Sequence, residues 1–438
     1  MSKRFVAASG WRYHKNGNPD KVLRFEKYRI PFDRTGKDVV VKMLAAPVHR
    51  QDKQVIEGTY YGGGITKDLG APAVGGIEGV GIVEEVGSTA KLGVKEGDMV
   101  WINNQRVGTW STHLVTDVSN VDVLPNRADL DIEYLASMSL FHTAYHLTNS
   151  FVSLTPGDVV LQTGASSSVA QICQGMVRSR GAKLIQTLQR GRTEDAVLEA
   201  AAKLRGAFAV VPYNYARTNY MRRLLSDMPA PKLLLNHTCG QYGSQLVKLL
   251  GEGGTCVTYG NTSHQPMQIA QSNFLDRDIR MKHFFLPNQQ EKMTREARMR
   301  VHQNCIENMT LQQGHGVFRA ERFKMSADSA FAFSSAWDAD LASRKPIMRM
   351  VGEYGEWRRE SSNYHNFSTG KAMWEDILQE LTESSCMSDQ PKSMKYHTPI
   401  GDVYSTMRDA KESRELGKRE VFFRRPNLPR HNSHETKL

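Results

Sequence analysis

The sequence predicts an α/β fold: a parallel sheet covered by helices, a strand-rich, barrel-like part, and an extended C-terminal tail. Three observations carry that reading. Residues 157–190 run as a short apolar strand at 159–161, a loop of small residues, a helix with Val169, Ile172, Cys173, Met176 and Val177 on one face, and a second strand at 184–188. That order opens a nucleotide-binding α/β unit. Further short apolar strands follow at 208–211, 233–236, 256–259 and 281–286, most of them separated by helical stretches, which is the spacing of a parallel sheet covered on both faces. Ahead of this region, 71–87 reads APAVGGIEGVGIVEEVG, whose glycines mark tight strand connections and not an open linker.

Taken in order, residues 1–18 are polar and end near the turn pair Asn16-Gly17, and strand patterns appear at 21–25 and 38–45, the second reaching Pro47. HRQDKQVIEG predicts a short helix stopped near Gly58, with Tyr60 and Tyr61 on or beside the following loop. A strand is expected at 99–102, and VGTWSTHLV at 107–115 brings a turn and another strand, with Trp110 near its start. Residues 132–150 read as helix and linker, 289–309 as a long polar helix, 325–338 as a further helix, and 346–350 as a last strand returning to the first sheet. The expected division is 1–131 for the strand-rich part, 132–286 for the nucleotide-binding part, 287–350 for the return, and 351–438 for an extension. The extension holds one amphipathic helix at 371–383 (Trp374, Ile377, Leu378, Leu381) and a basic end; the rest reads as disordered in isolation.

A length of 438 residues implies more than one domain. The net charge of +11 permits contact with nucleic acid or another anionic surface. The five cysteines are scattered without a C-x-x-C pair, so neither a disulfide framework nor a zinc knuckle is indicated. No apolar run approaches a membrane span, so no membrane partner is expected. The phosphate-facing loop is Gly164, Ala165, Ser166, Ser167, Ser168, Val169, with Ser168 and Ala170 where a G-x-G-x-x-G pattern would have glycines. Small residues keep the turn tight, and serines cap the helix and donate to phosphate.

These stretches together resemble the mitochondrial trans-2-enoyl-CoA/ACP reductases, zinc-free, quinone oxidoreductase-like members of the medium-chain dehydrogenase/reductase superfamily. The resemblance rests on KVLRFEKYRI, VKMLAAPVHRQD, QVIEGTYYG, PAVGGIEGVG, VGTWSTHLV, LTPGDVVLQTGASSSVAQ, PKLLLNHTCG and GGTCVTYG, in that order, and covers about 12–350. It implies a GroES-like strand-rich domain beside a Rossmann-type domain, and an NADPH-dependent reduction with hydride going to C3 and a proton to C2. It implies Tyr60 as the polar catalytic group, with Tyr61 the adjacent competitor, and places Trp110 and Glu78 near the cofactor cleft. The loop from Gly164 to Val169, Tyr259 and Gly260 would hold the cofactor, and Arg190 or Arg192 a 2′-phosphate, since a guanidinium matches phosphate geometry. Phe284 and Phe285 echo an aromatic pair lining an acyl pocket. Zinc is argued against: His49 has no Cys or His near it in sequence, and Glu78 follows isoleucine.

Several turns depart from the family pattern: Leu188-Gln189-Arg190-Gly191-Arg192, His237-Thr238, and Asn261. Those departures, the charge and the tail lead to the main expectation: a non-catalytic reductase-like component of a mitochondrial ribonucleoprotein, foremost the mitochondrial ribosome, with no cofactor bound. Lys418, Arg419, Phe422, Phe423, Arg424, Arg425 and Arg430 would then contact proteins or rRNA. The alternative is an active NADPH-dependent reductase of the mitochondrial matrix. A homodimer through the sheet edge fits either.

Overall fold

The burial pattern along residues 38–47 shows how the first sheet curls. From the N-terminus the strands of this part are Arg4–Tyr13 (β1), Arg24–Phe32 (β2), Asp38–Pro47 (β3), Ala73–Val74 (β4), Gly79–Val86 (β5), Met99–Ile102 (β6), His113–Asp117 (β7) and Val121–Val123 (β8). Val39, Val40, Val41, Met43, Ala45 and Ala46 of β3 are all buried, so the strand is covered on both faces. One edge pairs with β7 over 38–42 and the other edge with β5, whose register shifts twice. Such irregularities bend a strand and raise its twist. The sheet therefore wraps into a half-barrel, and β3 delivers the chain to His49.

The structure, a computed structural model, describes residues 4–59, 73–90, 93–102, 104, 107–125, 130–188, 206–313, 319–326 and 344–350. All of them belong to one compact unit; a second unit, 190–201 with 369–438, lies outside the described residues.

The second group of strands is Val159–Thr163 (β9), Lys183–Leu188 (β10), Ala209–Pro212 (β11), Leu233–Asn236 (β12), Thr255–Thr258 (β13) and Arg280–His283 (β14). All pair in parallel, in the order β11-β10-β9-β12-β13-β14. Every residue of β9 and β12 is buried, as a central parallel strand requires. Strand order reverses between β9 and β12, and a ligand crevice opens at the carboxyl ends of strands at such a reversal. The helix Ser168–Arg178 lays Ile172, Cys173, Met176 and Val177 into the core, at the face its 3.6-residue period predicts. Burying each such side chain contributes about 1.5–3 kcal/mol.

Strands Arg319–Lys324 (β15) and Arg344–Arg349 (β16) return to the half-barrel, where β16 pairs with 45–47 of β3. Four details differ from the sequence reading. The strand expected at 21–25 is a short helix, Pro19–Val22, capped by Asn18, followed by the start of β2. The polar N-terminus contains β1, nine of whose ten residues pair along β2; only its inner half is buried, so no clean alternation marks it. The long polar helix is two, Leu286–Glu291 and Arg295–Gln313. Met325 and Ser326 are not helical, and 327–343 lies outside the described residues, as do the expected helix at 371–383 and the tail.

The helices Met138–Asn149 and Arg295–Gln313 meet through buried imidazoles. His142 Nε2 lies 2.9 Å from His302 Nδ1, and His302 Nε2 lies 3.0 Å from Asp122 Oδ2. Burial, then the neighbouring His302 and His146, push His142 well below the usual histidine range, and burial brings His146 down to about 4. The His146 ring is neutral in the fold but basic once unfolded, so between about pH 4 and 6.5 only the unfolded chain binds its proton. The stability linked to this ring is complete above pH 6.5 and falls as pH drops below it. In urea unfolding, His146→Gln should make the loss between pH 7 and pH 5 smaller by about 2 kcal/mol; an unchanged loss would contradict this.

Candidate active site

After Thr163 the chain turns on Gly164, whose φ of 74° is a left-handed conformation that favours glycine. Ala165 N donates to Thr187 O at 3.0 Å, and Ser167 N donates back to Gly164 O at 2.9 Å. Ser167 is extended and caps the helix: its Oγ accepts from Ala170 N at 3.2 Å. Ser167, Ser168 and Val169 then line a cleft of ≈ 180 Å³ between the parallel sheet and the half-barrel. A larger, more open groove of ≈ 500 Å³ lies on the half-barrel beside Lys27, Arg29, Lys42 and His113. It shares no lining residue with the cleft and lacks the helix start, so the cleft is the candidate site.

The opposite wall centres on Glu78, which is 2% exposed. Its Oε1 lies 2.5 Å from His49 Nε2 and accepts from Ser139 Oγ at 2.6 Å; its Oε2 accepts from Ser139 N at 3.0 Å and Trp101 Nε1 at 3.1 Å. Burial alone would raise the carboxyl, yet His49 and the Ser139 donors outweigh it and hold Glu78 below its ordinary value. His49 is held from its other side by Lys345 Nζ, 2.7 Å from Nδ1. Asp52 accepts from His49 N at 2.5 Å and Ile77 N at 2.9 Å, fixing the start of the helix Arg50–Glu57. Burial pushes Asp52 up to about 6, against the pull of His49 and Lys345.

Beneath the loop, three glutamines join sheet to helix. Gln174 Nε2 donates to Gln186 Oε1 and Gln186 Nε2 to Gln162 Oε1, both at 2.8 Å, and Gln162 Nε2 reaches Tyr259 Oη at 3.1 Å. Burial raises the Tyr259 phenol far above its usual range, so it stays a neutral donor beside the cleft. The divergent His237-Thr238 turn is packed in. The His237 ring sits against Tyr259 at 5.2 Å, and a Cβ on Gly260 would come within 2.5 Å of its Cδ2. Thr238 Oγ1 pairs with Tyr213 Oη at 2.6 Å.

Of the residues singled out from sequence, Glu78, Ser167, Ser168, Val169, Tyr259, Phe284 and Phe285 all line the cleft. Gly164, Ala165 and Ser166 form the turn, and Gly260 supports His237. Trp110 is fully buried and does not line the cleft; its ring covers Gly75 and Gly76, where a Cβ would meet it at 2.4 and 2.5 Å, and its Nε1 donates to Pro47 O at 3.2 Å. Tyr60, Tyr61, Arg190 and Arg192 lie outside the described residues, as do Lys418, Arg419, Phe422, Phe423, Arg424, Arg425 and Arg430. Sequence reasoning missed His49 as Glu78's partner, together with Lys345, Ser139, Gln162 and the ring position of His237. In the quoted motifs His49 reads only as a possible metal ligand, and Glu78 as a cleft residue whose partner no spacing reveals. Among the described residues, no group of three or more His, Cys, Asp or Glu side chains is arranged to hold a metal ion.

Residues 35–121 match the family model described as alcohol dehydrogenase GroES-like domain. The mitochondrial enoyl-[acyl-carrier-protein] reductase of Dictyostelium discoideum is 34% identical over 304 residues, covering 69% of this chain and 84% of that protein. The human protein of the same name is 34% identical over 275 residues, covering 63% and 71%. Among solved structures, the Etr1p/Etr2p heterodimer of mitochondrial 2-enoyl thioester reductase from Candida tropicalis superposes with a TM-score of 0.68 at 22% identity, over 78% of this chain and all of that one. An Etr1p/NADP/crotonyl-CoA complex gives 0.67, also at 22% identity and the same coverage. At that identity the superpositions speak for the fold.

These matches overturn the expectation of a non-catalytic component of a mitochondrial ribonucleoprotein or ribosome. The relatives matched over about two thirds of the chain are reductases. One physical ground for that expectation also falls away, because the divergent His237-Thr238 turn is packed against partners and the cleft beside it stays open.

Cys239 carries the site's strained backbone, at φ 60° and ψ −153°, a region nearly confined to glycine. Cys239→Gly is expected to raise stability by about 1 kcal/mol, the relief of strain outweighing the lost Sγ contact to Gly260 O. Cys239→Ala keeps the strain and should not. Thermal unfolding of the two variants checks this.

Proposed function

Because the chain belongs to the family of mitochondrial trans-2-enoyl thioester reductases, zinc-free and quinone oxidoreductase-like, we propose that it reduces the 2,3 double bond of a trans-2-enoyl thioester with NADPH in the mitochondrial matrix. The observation that carries the reading is the capped helix start at the strand-order reversal, opening onto a cleft with a polar wall on one side and Phe284 and Phe285 on another. The residues present fit a dinucleotide. Gly164 supplies the left-handed turn, the side chains stay small through Val169, and a helix N-terminus attracts a pyrophosphate.

In this reading Gly164, Ala165, Ser166, Ser167, Ser168 and Val169 hold the pyrophosphate, Tyr259 and Gly260 shape the adjoining turn, and Arg190 or Arg192 takes the 2′-phosphate. NADPH held there would supply the hydride for C3. Tyr60 donates a hydrogen bond to the thioester oxygen as negative charge develops there, and C2 takes up a proton. Phe284 and Phe285 exclude water from the acyl chain. Glu78 shapes the wall and Trp110 holds the Gly75-Gly76 connection behind it. Residues 1–131 and 287–350 then form the catalytic part, 132–286 the nucleotide-binding part, and 351–438 an extension. The edge strand β14, exposed at all four positions, is the surface offered for pairing with a second copy. Among the described residues no helix is long and apolar enough to cross a membrane.

Fluorescence titration should give a micromolar Kd for NADPH, near −8 kcal/mol by the usual conversion, roughly. Crotonyl-CoA should drive NADPH oxidation, followed by absorbance. Tyr60→Phe should lower kcat by about 10²–10³-fold with the NADPH affinity little changed. Absence of NADPH binding, or full activity in Tyr60→Phe, would overturn the respective part of the reading.

A further inference from the structure

We propose that Lys345 is a positioning residue for this site: it fixes His49 as the Nε2–H tautomer and, through that ring, holds the Glu78 carboxylate in place against the cleft wall. The consequence for turnover rests on the reductase reading; the tautomer does not.

The hydrogen-bond inventory dictates the arrangement. Lys345 is 5% exposed, and its Nζ reaches Val48 O at 3.0 Å and His49 Nδ1 at 2.7 Å. An ammonium has three donors and no acceptor, so Nδ1 must accept. The ring proton then resides on Nε2, which lies 2.5 Å from Glu78 Oε1 and donates to it. A relay of fixed polarity results: ammonium to imidazole to carboxylate. Ser139 and Trp101 complete the set of donors on Glu78.

The three residues come from separate stretches. Lys345 lies on β16, His49 follows β3, and Glu78 precedes β5. All three line the cleft, together with Ser139 and Trp101. Charged groups facing His49 are Lys345 from β16, Glu78 beside β5, and Asp52 on the helix that His49 precedes. A lysine with so little exposure is expensive to bury unless opposite charge lies close, and Asp52, whose carboxyl is pulled down by Lys345, provides it. Glu78 in turn lies below its ordinary pKa, as a carboxylate surrounded by donors should. Without the ammonium, Nδ1 loses the donor that fixes its tautomer. The ring can then present either nitrogen as the donor, and the wall loses its fixed geometry. A displacement of reacting groups by about 1 Å costs on the order of 10²-fold in rate.

The test uses the full chain, with ¹⁵N-labelled histidine and His49→Gln as the assignment control. Wild type at pH 7 should show a non-protonated Nδ1 and a protonated Nε2. Lys345→Met should mix the two tautomers, and Lys345→Arg, which keeps a charged donor, should restore the wild-type pattern. In steady state with crotonyl-CoA, Lys345→Met should lower kcat by about 10–100-fold, while the NADPH Kd moves less than threefold. A wild-type His49 protonated on Nδ1, or a Lys345→Met protein with unchanged tautomer, would overturn the proposal. If wild type turns over no enoyl thioester, the reductase reading fails instead, and the nitrogen signals of the wild-type protein still decide the role of Lys345.

Discussion

Glu78 is a carboxylate with almost no exposure, and the half-barrel side of the cleft depends on keeping it paired. His49, Ser139 and Trp101 all direct donors at it, and they come from the loop after β3, the helix Met138–Asn149 and β6. A buried charge that loses a partner costs about 3–5 kcal/mol, so these elements are constrained to arrive together. The Trp101 ring extends the constraint inward, packing at 5.4 Å against both His142 and His302, which reach Asp122. A polar chain thus runs from the cleft wall into the packing between helices.

The other wall is held differently. Its polar groups are neutral amides, with Gln162, Gln174 and Gln186 all fully buried and bonded in series beneath the loop. The series ties β9, β10 and the helix Ser168–Arg178 together where Gly164 must turn the chain. The two walls therefore combine a charged, donor-rich side with a small-residue helix start. That pairing suits a ligand carrying a phosphate at one end and a reacting carbonyl at the other.

Much of this was legible in the sequence, and the reasons are local. The parallel strands announce themselves because burial on both faces demands continuous apolar runs such as Leu233–Asn236. The helix after the loop shows its 3.6-residue period, and Gly58, at φ 74°, ends the helix Arg50–Glu57 where the pattern says it should. What stayed hidden depends on distance or on context. Lys345 meets His49 across 296 residues, a contact that no spacing rule reaches. β1 is half exposed, so its pairing with β2 outweighs a weak pattern. His237 looked like decay of a cofactor turn because its bulk was judged alone; Gly164 and Gly260 make room for the ring. The net charge of +11 misled for a simpler reason: it is a property of the whole chain and carries no information about one cleft.

The proposed function requires this cleft to bring a nicotinamide and an enoyl thioester together for hydride transfer to C3. Incubation with crotonyl-CoA and NADPH deuterated at C4 of the nicotinamide, on the transferable face, tests it most directly, with the acyl product analysed by NMR and mass spectrometry. One deuterium at C3 of the saturated product, and none at C2, is the predicted result. A saturated product without deuterium at C3, or no reduction with either face labelled, would contradict it.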